Sequence, residues 1–209
     1  QTWHGTPRKK VGQDSEKVNF ARKGYLETFA DEASKWDYLV APNPYSADIL
    51  LRAFGAPRKG LLETGYPRND IFYRPEREVR AAATRERLGL RPDQQVILYA
   101  PTFRDGRPEW VLTAGLDKLA QAAAQGGDLL VVNLHPVESP QTPKLQPLMP
   151  GVAFVQPRTD LYPLLGKASA LVTDYSSVMF DYLHTQRPVL LFRPDHQAYT
   201  QKSRKLFDD

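Results

Sequence analysis

The 209-residue chain contains no cysteine, which excludes a disulfide framework and any metal site built on thiolates. It also lacks an apolar run close to the roughly 18 residues that a membrane-spanning helix requires. The composition, 41% hydrophobic and 25% charged residues, is ordinary for a globular protein. The length suits one large domain or two small ones.

Several familiar catalytic and nucleotide-binding motifs are also absent from the sequence. There is no Gly-x-x-x-x-Gly-Lys-Ser/Thr loop, no Gly-x-Gly-x-x-Gly after a strand and no Gly-x-Ser-x-Gly. These absences disfavour a P-loop ATPase, a common dinucleotide-binding fold and an α/β-hydrolase. There is no Asp-x-Asp pair to hold a divalent metal, and the four histidines lack metal-ligand spacing. We therefore expect an anion site made of amides, hydroxyls, imidazoles and cations, without a metal or a cofactor.

The charge of the chain is mildly basic, with a formal net charge of +4 and a pI near 9.2. This balance suits an anionic substrate, a polyphosphate polymer or an acidic membrane surface. It is too weak to indicate nucleic acid, and no nucleic-acid-binding motif supports that partner. Because the chain begins with Gln1 and its first residues resemble the interior of a domain, we expect a fragment of a longer polypeptide.

Short apolar segments alternate with amphipathic ones along most of the chain. Continuous apolar strands separated by helices predict an α/β fold with a parallel sheet covered on both faces. A turn-rich junction at residues 65–74 predicts a boundary between a first domain over 1–74 and a second over 75–209. The first domain is expected to be incomplete.

Three polar segments follow predicted strands of the second domain, at residues 101–105, 135–136 and 174–177. Ligands of open parallel sheets bind outside the carboxyl ends of the strands. We therefore expect these three segments to lie on one rim of the sheet.

The most informative segment runs from Thr173 to Asp181, where a buried strand turns through two serines into a helix. The first N–H groups of a helix lack internal partners and favour an anion, and two hydroxyls add donors. Ser176 and Ser177 are therefore candidates for binding phosphate, next to Asp174. The alternative is that the serines only cap the helix.

Four further residues are candidates, each with a plainer alternative. His4 lies in a loop bounded by Gly5 and Pro7 and could act as a base, or have no role. Arg104 could neutralise a phosphate, or be an exposed surface arginine. His135 could contact a phosphate, or only shape a turn. Asp181 could reach a ribose, or be a solvated helix carboxylate.

Five motifs together resemble the CDP-glycerol glycerophosphotransferases of bacterial teichoic-acid and capsule synthesis. In chain order they are Trp3-His4-Gly5-Thr6-Pro7 with Lys9-Lys10, Gly65-Tyr66-Pro67-Arg68-Asn69-Asp70, Tyr99-Ala100-Pro101-Thr102-Phe103-Arg104-Asp105, Leu134-His135-Pro136, and Thr173-Asp174-Tyr175-Ser176-Ser177 through Phe180-Asp181. Position 8 departs from the family, since it holds Arg where an apolar residue is expected. The resemblance implies a GT-B-type fold, in which two Rossmann-like domains with parallel sheets face each other across a cleft.

The resemblance also implies roles for the candidate residues. His4 is implied as the catalytic base of the acceptor-side domain. The donor diphosphate is assigned to His135, Ser176, Ser177 and Arg104, and the nucleotide, including its ribose, to Asp181 and Asp174.

The implied activity is transfer of glycerol phosphate, or a related alditol phosphate, with release of CMP. The implied donor is CDP-glycerol or CDP-ribitol, and the acceptor is a lipid-linked polyol phosphate. The expected location is the cytoplasm, at the inner face of the membrane. Two alternatives stay open: a GT-B nucleotide-sugar glycosyltransferase or epimerase, and a non-catalytic module that binds anionic polymer.

Overall fold

The computed structural model describes residues 1–3, 5–15, 25–91, 93–104, 110–202 and 207. The chain divides into two compact units, Gln1–Pro67 with Asp195–Asp209, and Arg68–Pro194. The division falls before the predicted boundary at 74–75, because Ile71 and Phe72 belong to the core of the second unit. The last segment groups with the first unit.

The first unit is built on a small parallel sheet. Its elements are α1 (Tyr25–Ser34), β1 (Leu39–Ala41), α2 (Pro44–Phe54), β2 (Leu61–Glu63) and α9 (His196–Lys202), with a 3-10 turn at Gly12–Asp14. Strands β1 and β2 pair in parallel, and Thr2 forms a bridge to Val40. The core lies between the sheet and the helices and centres on Phe54, against which the rings of Trp3, Phe29 and Trp36 pack.

Local sequence signals fix the ends of α2. The Asn43 side chain accepts a hydrogen bond from the Ser46 N–H at 2.9 Å, and Pro44 occupies the first turn. Gly55 ends the helix in the left-handed conformation, which glycine adopts without strain. An N-terminal amide cap and a C-terminal glycine therefore define this helix.

The second unit holds a five-stranded sheet with helices between the strands. It begins with a 3-10 helix at Pro67–Tyr73 and continues with α3 (Glu76–Arg87), β3 (Val96–Ala100), α4 (Trp110–Thr113), α5 (Leu116–Gln125), β4 (Leu129–Val132), α6 (Thr142–Leu145), β5 (Val152–Phe154), α7 (Tyr162–Leu165), β6 (Ala170–Thr173), α8 (Val178–Tyr182) and β7 (Val189–Leu191).

The five strands are all parallel, in the order β5-β4-β3-β6-β7. Consecutive residues of β3 and β4 point to opposite faces of the sheet: Tyr99 and Val132 join one buried cluster, and Leu98 and Val131 join the other. Both faces are thus covered, which explains why the strands are apolar throughout. The predicted α/β class with a parallel sheet is confirmed.

Two sequence expectations differ from the structure in detail. The prolines of residues 136–150 predict a loop, but this segment contains α6 and the short 3-10 helices Ser139–Gln141 and Gln146–Leu148. The expected turn at 65–70 is the start of a 3-10 helix. Proline is accepted in the first turn of a helix, so these prolines begin short helices. No helix in the described ranges is long and apolar enough to span a membrane.

Candidate functional site

The direction of strand order reverses between β3, the central strand of the second sheet, and its neighbour β6. In open α/β sheets this reversal leaves a crevice at the carboxyl ends of the strands, where ligands bind. The segments that begin at Pro101 and at Asp174 leave β3 and β6 at this point, and His135 follows the adjacent strand β4. The topology therefore places the candidate residues at one end of the sheet.

Asp174 joins the ends of β3 and β6. Its side chain is fully buried, and its Oδ1 accepts hydrogen bonds from the Thr102 N–H at 2.9 Å and from the Tyr175 N–H. Its Oδ2 lies 2.9 Å from Nη2 of Arg104. The predicted common rim is confirmed here, since one carboxylate holds two of the three strand-end segments.

Arg104 is buried against protein groups. Its side chain is 3% exposed, Nη1 donates to the Thr102 carbonyl, and the guanidinium lies 4.4 Å from the Trp110 ring centroid. The alternative of an exposed surface arginine is therefore wrong. The charge of Arg104 is compensated by Asp174. The guanidinium thus links the segment after β3 to the segment after β6.

The two serines lie on the partly exposed turn between β6 and α8. Ser177 has helical backbone angles, φ −68° and ψ −9°, and in the described ranges its side chain makes no capping hydrogen bond. The Ser176 hydroxyl accepts a long contact from the Val178 N–H, at 3.4 Å. A capping role explains little of this turn, and the hydroxyls remain suitable donors for an anion.

His135 is partly exposed and sits at the tip of a tight turn. Its carbonyl accepts from the N–H groups of Glu138 and Ser139 at 2.8 and 2.9 Å. Its Nδ1 accepts from the Val137 N–H at 3.3 Å, so in the neutral ring the proton lies on Nε2 and that atom is a donor. The Phe103 ring packs against the imidazole, with centroids 4.5 Å apart, which brings the third segment to the rim.

Asp181 is not a solvated helix carboxylate, because its side chain is 6% exposed. Arg68 Nη2 contacts both of its oxygens at 3.1 Å, Asn69 donates at 3.0 Å and Tyr162 at 2.9 Å. Burial, together with the nearby carboxylate, raises the pKa of the Tyr162 hydroxyl, which is therefore a protonated donor. Three side chains use most of the roughly four lone-pair positions of this carboxylate.

Sequence reasoning missed Glu138 and Trp110. Glu138 is 4% exposed, and its Oε1 accepts from the Trp110 indole at 3.0 Å and from the Arg104 N–H at 3.3 Å. Burial raises the pKa of this carboxyl. In the sequence, only its position three residues after His135 pointed to Glu138. Its partners Arg104 and Trp110 lie 34 and 28 residues away along the chain.

The predicted base, His4, lies outside the described residues. Its neighbours are anchored within the first unit: the Trp3 ring packs on Phe54 at 4.6 Å, and the Gly5 carbonyl accepts from the Tyr66 hydroxyl at 3.2 Å. Trp3 and Gly5 therefore both contact buried side chains of that unit.

The second unit also has a groove that lies away from this rim. A groove of about 1120 Å³ runs along α3 and the segments that precede β3, β6 and β7, with Glu78 and Lys167 among its lining. It faces the amino ends of the strands, where the topology predicts no ligand. Among the described residues, no group of three or more His, Asp or Glu side chains could hold a metal ion.

The sequence is similar to curated bacterial proteins over its whole length. It is 37% identical, over 219 residues, to the teichoic acid poly(glycerol phosphate) polymerase of Bacillus subtilis (strain 168), covering 100% of this chain and 29% of that protein. It is 35% identical to the teichoic acid glycerol-phosphate transferase of Staphylococcus aureus (strain NCTC 8325 / PS 47), covering 100% of this chain and 55% of the relative.

The fold matches that of a solved polymerase. The structure of the wall teichoic acid polymerase TagF superposes with a TM-score of 0.84 at 33% identity, covering 99% of this chain and 52% of that one. A UDP-GlcNAc 2-epimerase from Neisseria meningitidis shares the fold with a TM-score of 0.56 at 17% identity, over 88% of this chain and 52% of that one. The predicted GT-B-type class is confirmed by these likenesses.

The chain spans about half the length of the solved polymerase and 29% to 55% of the two curated relatives. The family model for CDP-glycerol:poly(glycerophosphate) glycerophosphotransferases matches residues 1–209. With this match and with relatives above 30% identity, the chain belongs to the CDP-glycerol:poly(glycerophosphate) glycerophosphotransferase family.

Proposed function

We propose that the protein containing this chain transfers glycerol phosphate, or a related alditol phosphate, from a CDP-activated donor to a hydroxyl of a polyol-phosphate acceptor. The observation that carries the proposal is the rim at the switch point. There, two partly exposed serines and a histidine whose neutral ring carries its proton on Nε2 lie at the crevice beyond the ends of the strands. Such a set of donors suits a diphosphate.

The donor-binding roles divide between residues that touch the diphosphate and residues that position them. Ser176, Ser177 and His135 are proposed to donate to the phosphate oxygens. Arg104 and Asp174 are proposed to hold the rim, because their charges compensate each other inside the protein. This assignment narrows the sequence prediction, in which Arg104 and Asp174 themselves contacted the donor.

Asp181 was predicted to bind ribose, and a direct contact would require one of its present donors to move aside. We propose that it acts through Arg68, Asn69 and Tyr162, which it holds against α8. Asp181 lies four residues after Ser177, one turn along the same helical face. Its network therefore also fixes the segment that follows the serine turn.

In the proposed reaction, an acceptor hydroxyl oxygen attacks the β-phosphorus of the donor. The new P–O bond forms as the bond to the CMP oxygen breaks, and His4 takes the proton of the attacking hydroxyl. The charge that develops on CMP is met by the serine turn and by His135. Positioning and electrostatic stabilisation are the usual sources of rate enhancement in phosphoryl transfer.

A donor screen tests this function. The intact protein is incubated with CDP-glycerol, CDP-ribitol or a UDP-sugar and a polyol-phosphate acceptor, and the released nucleotide is measured. Release of CMP from a CDP-alditol is expected, with no release of UDP. UDP release, or acceptor binding without any CMP, would refute the proposal in favour of a glycosyltransferase or a non-catalytic module.

We further propose that the reaction takes place at the inner face of the membrane on a lipid-linked acceptor of the cell wall or capsule. The support is the net charge of +4, which favours an anionic surface. Co-sedimentation with anionic vesicles is expected to exceed that with neutral vesicles and to fall as salt screens the charges. Equal binding to both kinds of vesicle would count against an electrostatic contribution.

A further inference from the structure

A continuous buried network connects the ends of three neighbouring strands beneath the proposed donor site. It begins at Glu138, whose Oε1 accepts from the Trp110 indole and the Arg104 N–H. The Arg104 guanidinium stacks on the Trp110 ring and pairs with Asp174. Asp174 in turn accepts from the Thr102 N–H. The network therefore runs from the end of β4, through the end of β3, to the end of β6.

The two ends of this network adjoin the groups proposed to hold the diphosphate. Glu138 belongs to the turn that carries His135, because its own N–H donates to the His135 carbonyl at 2.8 Å. Asp174 lies two residues before Ser176. The separation between the imidazole and the serine turn is thus set through Glu138, Arg104 and Asp174.

Burying the charged groups of this network costs desolvation free energy. Glu138 is 4% exposed and Asp174 is fully buried, and Asp174 pairs with the buried guanidinium of Arg104. The second oxygen of Glu138 makes no hydrogen bond with a described residue. An apolar side chain would fill this position at lower cost, so packing alone does not explain a carboxylate here.

We infer that Glu138 is a positioning residue, which sets His135 for contact with the donor diphosphate by hydrogen-bonding Trp110 and the backbone of Arg104. The inference rests on the proposed function. Preorganised contacts lose much of their effect when displaced, by up to about 100-fold for 1 Å. Positioning of His135 by Glu138 requires the acceptor oxygen Oε1, to which both the Trp110 indole and the Arg104 N–H donate.

The test compares Glu138→Ala with Glu138→Gln in the intact protein. Glu138→Ala removes the acceptor and is expected to raise the donor KM for CDP-glycerol about tenfold or more, with a smaller change in kcat. Glu138→Gln keeps an acceptor oxygen and is expected to stay within about threefold of the unmodified protein. Glu86→Ala, a change at an exposed glutamate of α3, is the matched control.

A second measurement does not require a donor. The ¹⁵N shifts of the His135 ring report its tautomer and protonation, and Glu138→Ala is expected to change them while Glu138→Gln preserves them. Trp110→Phe, which loses only the indole donor, is expected to change them less and serves if Glu138→Ala fails to fold.

Unchanged shifts and donor KM in a folded variant, or Glu138→Gln behaving like Glu138→Ala, would overturn the inference. Absence of CDP-glycerol turnover with altered shifts would instead refute only the proposed function.

Discussion

Burial decides what each charged or polar residue at the rim can do. Arg104 and Asp181 were both attractive ligands for a nucleotide, yet both are enclosed by protein partners. Ser176, Ser177 and His135 remain partly exposed. The residue types were evident from the sequence, but exposure also depends on partners from distant segments, such as Asp174 for Arg104 and Arg68 for Asp181, and could not be predicted from local pattern.

Replacing Ser177 with alanine tests the donor role of its hydroxyl. A hydrogen bond to a charged group contributes about 1.5–3 kcal/mol, so donor affinity is expected to fall about 10- to 100-fold. Calorimetry with CDP-glycerol measures this loss. Ser34→Ala, at an exposed serine of α1, should leave the affinity unchanged, and an unchanged affinity for Ser177→Ala would contradict the phosphate site.

Replacing Asp181 with asparagine tests the buried network around α8. Loss of the carboxylate removes a charge partner of Arg68, whose side chain is only 24% exposed. The free energy of unfolding is expected to fall by about 2–4 kcal/mol. Urea denaturation measures the change. Asp70→Asn breaks an exposed pair with Arg74 and should cost at most about 1 kcal/mol; equal costs would contradict the network.

The raised pKa of Glu138 predicts a pH dependence of stability. Burial is its main cause, so the native state holds this proton at a higher pH than the unfolded state does. The contribution of Glu138 to stability therefore falls as the pH rises from the unfolded pKa, about 4.3, through the higher native pKa. Glu138→Gln should remove this fall, so its stability relative to the unmodified protein should increase over that window. Chemical denaturation of both proteins at several pH values measures this difference. If the free energies of unfolding of Glu138→Gln and of the unmodified protein changed in parallel with pH, the raised pKa assigned to Glu138 would be contradicted.

At the scale of elements, the strands of the second unit and their parallel pairing were predicted correctly. The apolar runs at β3, β4 and β6 predicted buried parallel strands, because strands covered on both faces need apolar side chains throughout. The short helices in the segment 136–150 were missed, since single-turn helices have no hydrophobic period to detect. The polar ends of the strands were placed correctly on one rim because parallel strands end at the same edge.

Gly12 allows the 3-10 turn Gly12–Asp14 to pack against α2. It has a φ of +54°, and an added Cβ would lie 2.2 Å from the Ala53 carbonyl oxygen. Gly12→Ala should cost roughly 1–2 kcal/mol for the left-handed backbone and a further 1–3 kcal/mol or so for overpacking. Gly127 has a φ of +80° and open space around it. Gly127→Ala should therefore show only the cost of the left-handed backbone, without the cost of overpacking. Thermal unfolding of both variants tests the difference.

At the scale of the whole molecule, the contacts separate a unit that contains the five-stranded sheet from a unit that begins at Gln1 and includes the last segment. In the first unit, the Phe207 N–H donates to the Arg8 carbonyl at 2.9 Å and Lys9 lies 5.5 Å from the Tyr199 ring centroid. Phe207 and Tyr199 therefore lie next to Arg8 and Lys9. The assignment of acceptor-side and donor-side roles to the two units stays a prediction.

His4→Ala tests whether binding and chemistry separate between these units. If His4 is the base, its loss should lower turnover by roughly 10²–10⁴-fold, while CDP-glycerol affinity is expected to change little because the proposed donor contacts lie in the second unit. CMP release and calorimetry measure the two quantities. Full turnover would disprove the base assignment, and a parallel loss of affinity would indicate a donor-binding role instead. His196→Ala, in the same unit but outside the motif, is the control.

The sequence by itself determined the α/β class, the parallel strands, the serine turn and the family resemblance, because these depend on local periodicity and on the order of short motifs. Only the tertiary structure decided that Arg104, Asp174 and Asp181 have protein partners, and that Glu138 and Trp110 belong to the rim. The reason is physical: hydrogen bonding and burial join residues that are distant along the chain, and a side chain enclosed by such partners has a different chemistry from the same side chain in solvent.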